Sequence, residues 1–105
     1  MSRSKKRRRI EVERISKERI EYLMSLADEV FLQDPNRAQR YVDLSLRIAM
    51  RNRVRLPRVW RRRICHNCKA FLWPGVNCRI RLRKRRQHHV VVTCFNCGHY
   101  TRYNI

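Results

Sequence analysis

Two Cys-x-x-Cys pairs, Cys65-His66-Asn67-Cys68 and Cys94-Phe95-Asn96-Cys97, lie 25 residues apart in this chain and limit what its C-terminal part can become. Four thiolates at this spacing can surround one Zn²⁺ as a tetrahedron. Each pair predicts a tight knuckle, and Gly98 after the second pair suits the positive φ such a turn often needs. Thiolates on all four corners leave no open position for water or substrate, so the expected role is structural. Cys65, Cys68, Cys94 and Cys97 are therefore the expected ligands of one structural zinc.

The chain has 105 residues, enough for one domain or two very small ones. A core of this size is small, and below about 70 residues a core rarely supplies more than about 3–5 kcal/mol. Structural zinc contributes about 10–16 kcal/mol in small peptides, so metal rather than packing should decide whether the C-terminal part folds. Five cysteines could instead form disulfides in a secreted chain. The N-terminal stretch is basic with no apolar region behind it, unlike a signal peptide. No run reaches the roughly 18 apolar residues of a membrane helix. The expectation is a cytoplasmic (or nuclear) metal-binding chain with no membrane partner.

Charge is segregated. Residues 1–9 carry six Lys/Arg and no acid, residues 10–43 hold all eight carboxylates against five Lys/Arg, and residues 44–105 hold sixteen Lys/Arg and no acid. A merely solvated surface mixes signs, so the acid-free part calls for a polyanion, with nucleic acid favoured over an anionic membrane surface. Arg outnumbers Lys 22 to 5, and Arg brings a planar fork for phosphate and a flat face for bases.

The pattern along the chain predicts an α+β fold: an antiparallel two-helix hairpin followed by a three-stranded antiparallel zinc ribbon. Residues 1–9 are expected to be a disordered basic arm, serving phosphate contact, nuclear import or only solubility. Residues 10–53 are expected to be the hairpin. Ile20, Leu23, Met24, Ala27, Val30 and Phe31 recur at helical spacing up to about residue 32. Asp34 as N-cap and Pro35 behind it start the second helix. Two helices alone leave apolar surface uncovered. Tyr22, Leu26, Val30, Tyr41, Leu44 and Ile48 are the candidate residues for a protein partner, the alternative being cover by the chain's own C-terminal half.

Residues 54–63 read as a basic linker, with Arg58, Arg61, Arg62 and Arg63 around Trp60. The ring suits base stacking, or equally a plug between the two parts. Residues 64–105 are the expected ribbon. Residues 70–73 predict a short strand ended by Pro74-Gly75, and Asn77 to Arg83 alternates. Cys78, Ile80 and Leu82 should point to the core, with Cys78 a small apolar residue rather than a ligand. Arg79, Arg81 and Arg83 should form a ladder on the other side, extended by Lys84, Arg85 and Arg86. Like charges along one strand disfavour it unless a phosphate backbone neutralises them. Returning strands are expected at residues 89–93 and 99–103.

No catalytic centre is legible. Metal-dependent phosphodiester cleavage needs clustered carboxylates, and the basic region has none. The order of parts nevertheless resembles one family: two helices, an Arg-rich linker, Cys-x-x-Cys, Phe71-Leu72-Trp73-Pro74-Gly75, Asn77-Cys78-Arg79-Ile80-Arg81-Leu82, then Cys-x-x-Cys-Gly. It is similar to archaeal ribonuclease P protein component 4, the zinc-ribbon subunits related to a eukaryotic ribonuclease P/MRP protein. The resemblance implies a non-catalytic subunit of an endoribonuclease that removes 5′ leaders from precursor tRNA, its RNA subunit carrying the chemistry. It also implies pairing through the helices with ribonuclease P protein component 1, and joint binding to the specificity domain of the RNA. Cys65, Cys68, Cys94 and Cys97 match the family's ligand positions, and Cys78 lies outside them. Another zinc-ribbon binder, ribosomal or transcriptional, is the alternative.

Overall fold

The computed structural model describes residues 3–104. The start of the expected arm (Met1, Ser2) and the last residue of the expected ribbon (Ile105) lie outside them. In chain order the elements are α1 (Arg3–Val30), α2 (Pro35–Arg51), a single turn α3 (Arg58–Arg61), β1 (Cys78–Arg83), β2 (His89–Cys94) and β3 (Tyr100–Asn104). The chain forms two compact units that divide between Arg61 and Arg62.

The first unit is an α1–α2 pair. Its seam takes Ser16, Ile20, Met24 and Ala27 from α1 and Ala38, Val42, Ser45 and Ala49 from α2. Five of these eight side chains are Ala or Ser. The two buried hydroxyls bond back to their own helices, Ser16 Oγ donating to Val12 O at 2.7 Å and Ser45 Oγ to Tyr41 O at 3.0 Å. That satisfies groups whose burial would otherwise be costly. Asp34 caps α2 as expected, its carboxylate accepting from the Arg37 N–H at 3.1 Å. At the other end, Arg53 takes φ 53° and the Val54 N–H donates to Ala49 O at 2.9 Å. This is the hydrogen bond of a Schellman cap, made here without glycine.

Two expectations are corrected in this unit. The segment from residue 3 to residue 9 is not a disordered arm; α1 begins at Arg3 and runs unbroken. Arg and Lys are good helix formers, and the charge count that suggested disorder carries no information about backbone conformation. The 54–63 linker is also not wholly irregular, because Pro57 opens the turn α3 by accepting from the Arg61 N–H at 3.0 Å. Trp60 sits on that turn, and its indole N–H donates to Glu21 on α1 at 2.8 Å.

The second unit is the ribbon, a sheet of order β1-β2-β3 with antiparallel pairing throughout. Its core gathers Cys65, Leu72, Cys78, Val92 and Cys94, with Phe71 and Ile64 buried nearby in sequence. The expected strand at residues 70–73 is corrected. Phe71 makes only an isolated bridge to Ile64, and Pro74 one to Cys78. Asn77 organises that stretch instead: its side-chain oxygen accepts from the Trp73 N–H and its amide donates to Phe71 O, both at 2.6 Å. Gly75, at φ 85°, completes the turn. Asn77→Ala strips a partner from each of these backbone groups and is expected to lower the ribbon's stability by about 2 kcal/mol. Denaturant titration of the metal-loaded chain in a Trp60→Phe background, followed by Trp73 fluorescence, measures it.

The core-facing alternation on β1 holds only at its start. Cys78 is 1% exposed, as expected, but Ile80 and Leu82 are 50% and 57% exposed. The knuckles and Leu72 cover the sheet where Cys78 lies, and within this unit no second layer extends over the rest.

Candidate metal centre and nucleic-acid interface

The two knuckles repeat one backbone design. In the first, the Lys69 N–H donates to Cys65 O at 3.0 Å and the Cys65 N–H to Ala70 O at 2.9 Å. In the second, the Gly98 N–H donates to Cys94 O at 2.9 Å and the Cys94 N–H to His99 O at 2.8 Å. The fifth position of each turn is left-handed, with φ 62° at Lys69 and 77° at Gly98. Each loop thereby aims its two sulfurs at the other loop.

All four Sγ atoms lie within 4.8 Å of one another. Cys65 and Cys97 are 3.5 Å apart, Cys68 and Cys94 3.7 Å apart. A tetrahedron with Zn–S bonds of about 2.3 Å has edges of about 3.8 Å, so the donor set fits a single tetrahedral ion of this size. The surroundings favour thiolate at the outer positions. Cys97 is lowered to about 6, first by the His99 backbone N–H and then by the Asn67 side chain. At Cys68 burial pushes the thiol up, but the Asn96 side chain and the Ala70 backbone N–H outweigh it and the net direction is down. Burial pushes Cys94 up to about 12, against backbone N–H groups from Cys97 and Asn96. Such N–H groups aimed at sulfur are the usual outer support of a metal–thiolate centre. The four cysteines can hold a metal ion, and no histidine joins them among the described residues. The His66 ring instead meets the Tyr103 hydroxyl at 3.3 Å.

The strand register sets the opposite face of the sheet. Reading across the three strands gives the rows Arg79–Thr93–Tyr100, Arg81–Val91–Arg102 and Arg83–His89–Asn104. Arg79, Arg81 and Arg83 are all exposed, as are Lys84, Arg85 and Arg86 in the hairpin loop. That loop borders an open depression lined by Arg83, Lys84, Arg85, Arg86, Tyr100 and Arg102. Tyr100 and Arg102 escaped the reading of the sequence. Their place beside the ladder depends on the β2–β3 register, which no local pattern carries. Arg102 lies over the Tyr100 ring at 5.6 Å, a cation beside an aromatic face in the middle of a basic surface.

The linker arginines are dispersed. Arg58 and Arg61 belong to the helical unit. Arg62 and Arg63 belong to the ribbon and are half-buried. Arg62 lies 4.7 Å from the Tyr103 ring centre, and Arg63 lies 4.6 Å from that of Phe71 and 5.0 Å from that of Trp73. Their guanidinium faces stack on the ribbon's own rings. Of the candidate partner residues, Tyr22 and Leu44 are exposed, while Leu26, Val30, Tyr41 and Ile48 are half-buried. Among the carboxylates, Glu11 and Glu18 pair with Arg14, and Glu13 with Lys17, along one side of α1. No helix among the described residues is long and apolar enough to cross a membrane.

Comparison with known proteins agrees with this architecture. A family model described as "RNAse P Rpr2/Rpp21/SNM1 subunit domain" matches residues 19–98. Ribonuclease P protein component 4 of Pyrococcus furiosus is 52% identical over 93 residues, which span 89% of this chain and 80% of that protein. The protein of the same name from Methanopyrus kandleri is 51% identical over 90 residues, 86% of this chain and 70% of that one. Among solved structures, a chain of "cryo-EM structure of archaeal Ribonuclease P with mature tRNA" matches with TM-score 0.78 and 48% identity, covering 87% of this chain and 77% of that chain. The family match spans the later part of α1, all of α2, the full set of four cysteines and strands β1 and β2, and on that ground the chain belongs to the Rpr2/Rpp21/SNM1 family of ribonuclease P subunits.

Proposed function

We propose that this member of the ribonuclease P subunit family is a non-catalytic, RNA-binding subunit that supports 5′-leader removal from precursor tRNA in the cytoplasm, the chemistry residing in the RNA subunit. The observation that carries the reading is the acid-free ribbon with its grid of exposed arginines, in a chain whose relatives are named as ribonuclease P protein component 4. One zinc ion held by Cys65, Cys68, Cys94 and Cys97 fixes the ribbon, supported by the spacing of the sulfurs and the all-thiolate donor set. Arg79, Arg81 and Arg83, with Lys84, Arg85 and Arg86, meet the RNA phosphates. The related chain solved within archaeal ribonuclease P with mature tRNA supports precursor tRNA and the RNA subunit as the polyanions. Arg58 and Arg61 add phosphate contacts, whereas Arg62 and Arg63 contribute by bracing the ribbon through their rings.

The helical unit serves the protein side. Tyr22, Leu26, Val30, Tyr41, Leu44 and Ile48 offer apolar surface to ribonuclease P protein component 1, forming a heterodimer. Residues 10–43, with eight carboxylates against five Lys/Arg, favour a basic partner. Pull-down of the tagged chain from native extract, with sequencing of the bound RNA, tests the whole reading. Enrichment of the ribonuclease P RNA together with leader-removing activity is expected, with one zinc per chain by mass spectrometry. Recovery of ribosomal RNA in its place would overturn it.

A further inference from the structure

α1 outruns its partner helix. It has 28 residues against 17 in α2, and its first buried position is Ser16. Every residue from Arg3 to Ile15 is exposed, and at 1.5 Å per residue this stretch is about 20 Å of helix without a packed side. The family model's match begins at residue 19, beyond this stretch.

The overhang has two parts. Nearer the helical core, Arg14 bridges Glu11 at 2.9 Å and Glu18 at 3.0 Å, and Lys17 meets Glu13 at 3.3 Å. These pairs at three-and-four spacing stiffen a nearly neutral spacer. Beyond it, Arg3, Lys5, Lys6, Arg7, Arg8 and Arg9 follow one another with no acid before Glu11. Successive residues turn by about 100°, so these cations point to every side of the helix axis. They repel each other at three-and-four spacing and oppose the helix dipole. A surrounding anion removes both penalties.

Charge on every side selects the partner. A membrane surface or one face of a protein engages one side of a helix and rewards an apolar stripe there. Residues 3–9 offer no apolar side chain at all. A groove bordered by two phosphate strands meets such a ring of cations on both flanks. The deep groove of regular RNA duplex is too narrow to admit a helix, so the groove must be opened by a bulge or junction. We propose that residues 3–9 of α1 enter the deep groove of an RNA double helix at a bulge or junction, contacting phosphates of both bordering strands. This rests on the RNA-binding reading above and adds a second contact, independent of the sheet face.

The test compares the full metal-loaded chain with a variant in which Arg3, Lys5, Lys6, Arg7, Arg8 and Arg9 are all replaced by Gln. Gln keeps helix propensity, and circular dichroism should show helix content equal to or above that of the parent chain. The probes are three RNAs of equal length: an uninterrupted duplex, a duplex with one bulge, and a single strand. Binding is measured over a salt series. On the bulged duplex the variant should bind at least tenfold more weakly at 150 mM salt, with a log–log salt slope shallower by about 3–5. Its losses on the other two RNAs should be smaller. An unchanged slope on the bulged RNA, equal losses on all three RNAs, or tighter capture of the parent chain by phosphatidylserine vesicles than by the bulged RNA would each overturn the proposal. If the parent chain binds RNA and the variant matches it, only the role of residues 3–9 falls. If the parent chain binds none of the RNAs, the broader RNA reading falls with it.

Discussion

Cys68→Ser, or chelation of the proposed zinc, should unfold the ribbon while α1 and α2 stay folded. The reason lies in what the ribbon buries. Its core gathers five residues, and three of them are cysteines, two belonging to the metal set. Leu72 and Val92 remain as its full-sized apolar members, with Phe71 and Ile64 buried beside them, each contributing about 1.5–3 kcal/mol on burial. Ordering a residue costs about 1–2 kcal/mol in backbone entropy, and the ribbon orders more than forty of them. The exposed arginines of β1 repel one another besides. Loss of a metal worth about 10–16 kcal/mol therefore exceeds any stability this unit holds in reserve. The helical pair has its own seam and needs no ligand. The expected record is retained helical ellipticity at 222 nm beside loss of amide-exchange protection across β1, β2 and β3. Acidification should act in the same direction, because protons compete with the metal for thiolate. Protected strands in chelated protein at neutral pH would refute the claim that metal holds this fold.

How far the residues announced this arrangement varies with the physics involved. Gly98 advertised its left-handed turn, but Lys69 occupies the same place in the first knuckle at φ 62° and gives no sign of it. The backbone design is shared, and only one copy uses the residue type that marks it. The alternation from Cys78 to Arg83 fixed which side chains share a face. It could not tell how far a covering layer extends, so Ile80 and Leu82 were expected inside and lie exposed. Asp34-Pro35 was unambiguous because cap chemistry is local. The helical start at Arg3 was hidden because charge and hydropathy describe solvation rather than backbone geometry. Asn77 carried no signal either, since its two 2.6 Å bonds reach backbone groups four and six residues earlier, and no residue-type pattern marks that reach.

The second large effect concerns the sheet face. Replacing Arg79, Arg81 and Arg83 together with Gln should weaken binding to the RNA subunit by about two orders of magnitude at 150 mM salt and make the log–log salt slope shallower by about 2–3, one phosphate contact being worth about 0.7–0.9. The strand itself should not suffer. Gln keeps a long polar side chain on an exposed position, and removing like charges along β1 relieves repulsion. Metal content and thermal midpoint should hold or rise, which separates lost contact from lost structure. Register then sharpens the argument. Arg102 stands across Val91 from Arg81, on another strand and 21 positions later in sequence. If the ladder acts only as a basic stretch of chain, Arg102→Gln added to the triple variant should change nothing. If the assembled face is what meets the phosphates, the fourth substitution should flatten the slope by a further 0.7–0.9 or so. Adding Tyr100→Leu should then weaken single-stranded RNA more than duplex, because a stacking ring needs an unpaired base. A triple variant with the parent affinity and slope would move the RNA-binding surface off this face of the sheet altogether.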